Sequence, residues 1–252
     1  MILYGDYHTH SKLSDGRNTL EENAQVAEDK HLKQIAVTEH GFAHIVGGIK
    51  RKQVPEIKER LKAINERHKV QVLYGIESNL ISLDGDIDIT KEEVKDFDVI
   101  VVGFHQIFIP KTFTGLFNFL IPNTFRIGRA SKKRIQKNTQ AFINAIKKYD
   151  IDILAHLNTG RCSVDCIEIA KVAKERGTYI ELNGKRLVFT DEEMLAMAAT
   201  GVKFIIDSDA HRSKNIGLNN KAFAMIERLN IPHEQVVNLD KIPVFKRCNK
   251  EK

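Results

Sequence analysis

Short apolar runs alternate with amphipathic helical patterns along the chain. The runs are Ile2–Tyr4, Gln34–Val37, Gln71–Ile76, Val99–Gly103, Ile153–Ala155, Thr178–Leu182 and Val202–Ile206. They are too apolar for half-exposed antiparallel strands and predict strands buried on both faces. Between them, Thr19 with Glu22, Thr90 with Glu93, and Thr190 with Glu193 have the spacing of capping boxes. Ser131 opens a helix with an apolar stripe of Ile135, Phe142 and Ile146, and Ser163 opens another. Pro55 suits a first helical turn, and Gly177 and Gly201 fall just past helix ends, where a left-handed residue is needed. Strand alternating with helix predicts parallel βαβ units. Seven such units without a composition break favour one closed or nearly closed α/β barrel, a single domain over residues 1–252.

One segment breaks the rhythm. Phe108–Gly128 holds two prolines and five phenylalanines, shows no helical stripe, and is too long for a simple strand-to-helix loop. It reads as an irregular insert: a lid, an oligomer contact, a surface-associated hairpin, or a loop whose phenylalanines fold back onto the barrel. The basic stretch Arg126–Arg134 follows it and reads as a solvated helix start or an attractor of phosphates or nucleic acid.

Composition narrows the class only mildly. With 42% hydrophobic and 29% charged residues, the chain is that of an ordinary globular protein rather than a disordered one. No apolar run approaches the roughly 18 residues of a membrane span, so no membrane partner is expected. Met1–Tyr4 leads into Gly5–Asp6 without the pattern of a secretory leader, and three cysteines are too few for a disulfide framework, so a reducing cytoplasm is expected. Cys162 and Cys166 read as ordinary thiols. The net charge of +6 suits an anionic substrate or nucleic acid without requiring either.

The histidines carry the chemistry. His8 and His10 follow the first predicted strand, and His40 the second. Glu77 ends the third, His105 follows the fourth, His156 the fifth, and Asp209 and His211 the seventh. Asp15 lies in the loop after the first strand. In a parallel barrel these strand ends meet at one face, where barrel enzymes build their sites. Imidazole nitrogen with carboxylate oxygen suits zinc, manganese or iron. His8 and His10, two residues apart on extended chain, point the same way, and Asp209 with His211 should repeat that geometry. Six histidines, two aspartates and one glutamate exceed the needs of one ion and suggest two or three divalent ions. His31, His68, His233 and His44 fall in helices, their flanks or a loop, and surface positions are expected for them, with reaching the site left open for His44.

Asp6-Tyr7-His8-Thr9-His10-Ser11, followed by Ser14-Asp15-Gly16, resembles the first motif of the PHP (polymerase and histidinol phosphatase) family. Thr38-Glu39-His40 resembles its second motif, His156 its third, and Ser208-Asp209-Ala210-His211 its fourth. The resemblance covers nearly the whole chain. It implies a distorted TIM-like (βα)7 barrel holding three metal ions. His8, His10, Glu77 and Asp209 would hold the first; Glu77, His105 and His156 the second; Asp15, His40 and His211 the third. Glu77 would then bridge. Glu39 stands where the family commonly has Asp and would sit behind the ligands, and Asp6 would support a ligand histidine.

The implied activity is metal-dependent hydrolysis of a phosphomonoester, histidinol phosphate being one candidate, by a phosphatase whose ions activate water. Glu77, Asp15 and His211 are the candidate catalytic residues, the last two placed to serve the leaving group. Arg17, Arg161, Arg186 and Arg212 follow strands on the active face and are candidate phosphate contacts, and Asn183 a candidate wall residue. A nuclease or nucleoside-bisphosphate phosphatase is the alternative activity, with nucleic acid as partner in place of a small phosphorylated substrate. A non-catalytic metal-binding scaffold is the alternative of another class. A homo-oligomer is left open.

Overall fold

The computed structural model describes residues 1–128, 130–158 and 161–247. Seven parallel strands form one sheet in chain order: β1 (Gly5–Thr9), β2 (Gln34–His40), β3 (Gln71–Asn79), β4 (Val99–Gly103), β5 (Ile153–Leu154), β6 (Tyr179–Asn183) and β7 (Phe204–Asp207). The sheet curls into a nearly closed barrel with helices between successive strands, as the repeated βαβ pattern predicts. The first strand begins later than the run Ile2–Tyr4. Leu3 pairs instead with Leu239, and Tyr4 donates its amide to Asn238, so those residues belong to a contact with the C-terminal segment. The shift puts His8 inside β1 rather than beyond it.

Alternation along each strand divides the barrel interior into two storeys. Read inward and upward, β3 presents Leu73, Gly75 and Glu77; β2 presents Ala36, Thr38 and His40; β6 presents Tyr179, Glu181 and Asn183. The lower storey is apolar, with Tyr7, Ala36, Leu73, Val101, Ile153 and Ile205 packed around Phe245 from the C-terminal segment. The upper storey is polar and opens at the C-terminal strand ends. The larger apolar cluster lies outside the barrel, between strands and helices.

The helices are α1 (Leu20–Asp29), α2 (Val54–Asn65), α3 (Phe113–Gly115), α4 (Ile121–Thr124), α5 (Lys132–Lys148), α6 (Cys166–Arg176), α7 (Asp191–Ala199) and α8 (Asn220–Arg228). Thr19 and Thr190 form reciprocal capping boxes with Glu22 and Glu193. Thr90 and Glu93 do the same over a single 3-10 turn. Ser131 caps α5, and the left-handed Gly177 ends α6. Ser163 does not open α6; Asp165 does, because its carboxylate accepts from the amides of both Ile167 and Glu168.

The insert is helical rather than irregular. A π-helical turn, Leu116–Leu120, joins α3 to α4. That wider turn removes the 3.6-residue stripe by which a helix would be recognised. Thr112 caps its start, and Pro122, which has no N–H to donate, sits in α4 just past the π-helical turn. Phe108 and Phe119 are buried, whereas Phe113, Phe117 and Phe125 are exposed.

β1 and β7 close the barrel mainly through side chains. Asn238 donates to the carbonyls of Gly5 (2.9 Å) and Ile206 (2.7 Å) and accepts from the Ile206 amide (3.0 Å). Tyr7 N donates to Asp207 at 2.7 Å. Asp6 accepts from the amides of Ser208 and Gly217. One bridge, Thr9 with Ala210, completes the seam. Asn238→Ala leaves buried peptide groups on both strands unpaired. It should cost about 3 kcal/mol and lower the thermal midpoint by about 6–12 °C, as read by a melting curve.

A second prediction concerns acid. Asp86 receives Lys148 and Lys111, tying α5 and the insert to the segment after β3. Burial raises its carboxyl, but the two ammonium groups outweigh this and hold it at about 2. A depressed acid stabilises the fold above its unfolded value of 3.8, and the contribution disappears as pH falls through about 2. Denaturation of wild type and Asp86→Asn should therefore differ above pH 3.8 and converge toward pH 2.

Candidate metal centre

Glu77 is fully buried near the end of β3 and faces five imidazoles. His156 Nε2 lies 2.7 Å from its carboxylate, His40 Nδ1 2.8 Å, His105 Nε2 3.2 Å, His8 Nε2 3.3 Å and His10 Nε2 3.5 Å. Gly103 makes room: a Cβ there would stand 2.5 Å from His156 Cε1. Asp209 is a second carboxylate, 3.5 Å from His10 Nε2 and 3.3 Å from His211 Nδ1. Asp15, at the rim, lies 3.3 Å from His40 Nε2 and 3.2 Å from His211 Nε2. All nine residues singled out from the strand ends therefore meet at one place.

The local backbone departs from expectation at one of them. β7 ends at Asp207, and Asp209 is left-handed (φ 50°), so Asp209 and His211 do not share an extended segment. His156 is left-handed as well (φ 40°). Such strained non-glycine positions persist where surrounding contacts over-determine them.

Several donors here are buried and unpartnered. His8 Nε2, both ring nitrogens of His10, His40 Nδ1 and Glu77 Oε2 have no hydrogen-bond partner among the described residues. His40 Nδ1 and Glu77 Oε2 are close yet misaligned for a hydrogen bond. Unpaired buried polar atoms are costly, and their convergence fits a site built for cations. Four overlapping sets have donor atoms within 4.8 Å of one another: His10, Asp15, His40 and His211; His8, Glu77 and His156; His8, His10 and Asp209; His40, Glu77 and His105.

Titration follows from the crowding. Burial alone would raise Glu77, but the charges of His105, His8 and His40 hold it well below the ordinary carboxylate value. Burial would lower His40, but Glu77 and Asp15 carry it up to about 10. Burial, then the charge of His40, drives His10 down to about 3.

Behind these residues stands a layer that sequence reasoning missed. Glu181 accepts from the His156 amide at 2.8 Å and meets His8 Nδ1 at 2.6 Å. Asn79 Oδ1 meets His105 Nδ1 at 2.6 Å. Both are polar residues at inward positions near the ends of apolar strands, and that was the available signal. Asp6 does not reach a histidine ring; it binds the β7 end and, at 3.5 Å, the His8 amide. Glu39 forms no hydrogen bond with the nine among the described residues; it accepts from the hydroxyls of Ser11 and Ser14 and shapes the loop carrying Asp15.

The centre floors a cavity of about 700 Å³. Arg161 and Arg186 line it, together with Arg126 and Lys185; Arg17 and Arg212 are exposed elsewhere. Asn183 lines the wall and also accepts from the amides of Lys185 and Arg186. His44, expected at the surface, lines the cavity and stacks on His40 with ring centroids 4.4 Å apart. Burial, then His40 and His105, lowers it to about 4. His68 pairs with Glu28, away from the cavity. Cys162 and Cys166 are free and buried, and burial pushes Cys166 up to about 12. Arg129 of the basic stretch lies outside the described residues.

The profile of the PHP domain family matches residues 6–215. A probable phosphatase of Caldanaerobacter subterraneus subsp. tengcongensis is 30% identical over 95% of this chain and 89% of its own. One of Thermoanaerobacter sp. is 30% identical over 100% of this chain and 96% of its own. Among solved structures, the histidinol phosphate phosphatase of Lactococcus lactis, complexed with zinc, L-histidinol and phosphate, superposes with TM-score 0.59 at 14% identity, covering 92% of this chain and 95% of its own. The putative histidinol phosphatase of Listeria monocytogenes gives 0.60 at 13%, covering 87% and 99%. At those identities the two structures bear on the fold.

Glu181→Gln weakens the contact that orients His8 without removing a donor from the centre. It should lower divalent-ion affinity about 10–100-fold, read by metal titration, with the melting curve of the metal-free protein little changed.

Proposed function

The chain belongs to the PHP domain family, and on that premise we propose that it hydrolyses the phosphomonoester of a small molecule at two or three divalent ions. The observation that carries this reading is the gathering of unpartnered imidazole and carboxylate donors around Glu77, beneath a cavity edged with arginine. His8, His10, Glu77 and Asp209 would hold one ion; Glu77, His105 and His156 a second; Asp15, His40 and His211 a third. The donor sets support the first and third groups through His8, His10 and Asp209 and through Asp15, His40 and His211, whereas His105 and His156 share Glu77 Oε1 but fall in separate sets. The probable phosphatases among the relatives support the reaction class, and the zinc in the Lactococcus enzyme supports zinc, with manganese and iron compatible with the same donors. Bound there, such ions would acidify water and offset charge on a phosphoryl group.

The protein's own part is positioning. Glu77 keeps one face of five imidazoles turned inward and supplies the negative charge that repays burying cations. Arg161, Arg186, Arg126 and Lys185 give the cavity a positive wall for phosphate. The Arg161 guanidinium is fixed by donating to the Thr124 carbonyl at 2.8 Å. Where the third ion is weakly held, Asp15 and His211, paired at the half-open rim, would instead pass a proton to the leaving oxygen.

The test is phosphate release from a panel of esters by protein whose bound metal has been counted. The panel holds histidinol phosphate, sugar phosphates, nucleotides and short single-stranded DNA. Two or three ions per chain and one preferred small ester support the proposal. Cleavage of DNA alone, or absence of metal, overturns it. His8→Ala combined with His10→Ala should abolish both metal retention and turnover. Arg186→Ala should leave the metal count unchanged and raise KM about tenfold.

A further inference from the structure

Between Val99 and Tyr149 the chain carries nine lysines and arginines and no aspartate or glutamate. The remainder holds thirty basic against thirty-three acidic residues, so the net positive charge comes entirely from this stretch. The same stretch exposes apolar side chains. Ile107, Ile109, Phe113, Phe117, Phe125 and Ile127 are 48–77% exposed. Phe108 turns inward between the two isoleucines, and the rings of Phe113 and Phe117 meet edge to face at 5.0 Å. A neighbouring loop joins the surface: Ile45 N donates to Ile107 O, and Ile109 N to Ala43 O, both at 3.0 Å. That loop adds Ile45 and Val46, 63% and 77% exposed. Eight of the thirteen exposed large apolar residues among the described residues lie in these two joined segments.

The same stretch supplies cations, of which Lys133 and Lys137 lie beside Glu168 of α6. Lys111 and Lys148 are held by Asp86. Arg126, Lys132, Lys133 and Lys137 are exposed and form no ion pair among the described residues. Arg134 donates to the Asn118 carbonyl, which holds the first turn of α5 against the π-helical turn.

Against the expectation of no membrane partner, which rested on the lack of a spanning segment, we propose that this face docks peripherally on an anionic lipid surface. The exposed isoleucines and phenylalanines enter the headgroup region, and the four cations meet its negative charge. The proposal does not rest on the phosphatase reading. Charge selects this occupant. A second copy placed symmetrically would bring two net-basic surfaces together. A nucleic acid would satisfy the cations and stack on the phenylalanines, but would leave the aliphatic Ile45, Val46, Ile107 and Ile109 without partners. Val46, Ile107 and Arg126 also line the cavity, so docking turns its mouth toward the surface.

The experiment is flotation of the full chain with two kinds of vesicle, phosphatidylcholine alone and phosphatidylcholine mixed equally with phosphatidylglycerol. Partition onto the anionic vesicles should be about tenfold stronger or more. Phe113→Ser with Phe117→Ser, and separately Lys132→Gln with Lys133→Gln, should each reduce it about tenfold. The lysine pair should also flatten the salt dependence. Melting temperature and metal content, measured in solution, should be unchanged in both variants, which separates docking from misfolding and from the metal centre. Failure to float, or equal partition onto both vesicles, overturns the proposal. So does vesicle binding that ignores the phenylalanine changes while a short single-stranded RNA competes for it, because the face is then a general polyanion site. A doubled mass in sedimentation that Phe113→Ser with Phe117→Ser abolishes assigns the face to a second copy and also overturns it.

Discussion

One buried carboxylate organises the upper barrel. Glu77 has no access to water, and a charge in that position must be met by opposite charge or by strong hydrogen bonds. Five imidazoles converge on it, contributed by β1, β2 and the segments following β1, β4 and β5. Their approach sets other requirements. Gly103 must lack a side chain, and His156 must accept a left-handed backbone. Glu181 and Asn79 must hold the far nitrogens of His8 and His105, which fixes which ring face points inward. Much of what is unusual in this barrel can be traced to feeding and restraining that one group.

The two-storey interior makes this tolerable. The barrel below Glu77 is filled by aliphatic and aromatic side chains, with Phe245 drawn in from the C-terminal segment. Hydrophobic burial there and in the outer cluster gives the chain its stability. The polar storey can then carry unpartnered donors that would be a liability in a smaller protein.

The fold was largely legible because its signal is periodic and local. Six of the seven apolar runs became strands close to where they were expected, and the threonine–glutamate boxes formed. The misses have different causes, one distant in sequence and two local. Ile2–Tyr4 looks like a strand but is claimed by Asn238 and Leu239. Ser163 lost to Asp165, whose carboxylate reaches two amides. The insert hid its helix behind a π-helical turn. At the centre, the residues whose chemistry is visible in their type, namely the histidines at strand ends with Glu77 and the two aspartates, do come together. Glu181 and Asn79 were missed because a polar residue on an inward strand face announces a function only once its neighbour across the barrel is known. His44 was missed because loop geometry, not spacing, stacks it on His40. Of four arginines, Arg161 and Arg186 reach the cavity, since a loop's direction is not written in its composition.

The incomplete pairing of β1 with β7 gives the centre a mechanical meaning. His8 and His10 stand on one side of that seam, and Asp209 and His211 on the other, some two hundred residues away along the chain. Any cation held jointly by His8, His10 and Asp209 spans the gap as a cross-link would, fastening the first strand to the last. Ion occupancy and barrel closure would then be two descriptions of a single equilibrium. Whatever loosens the seam at its lower end would be felt as weaker ion binding at the top.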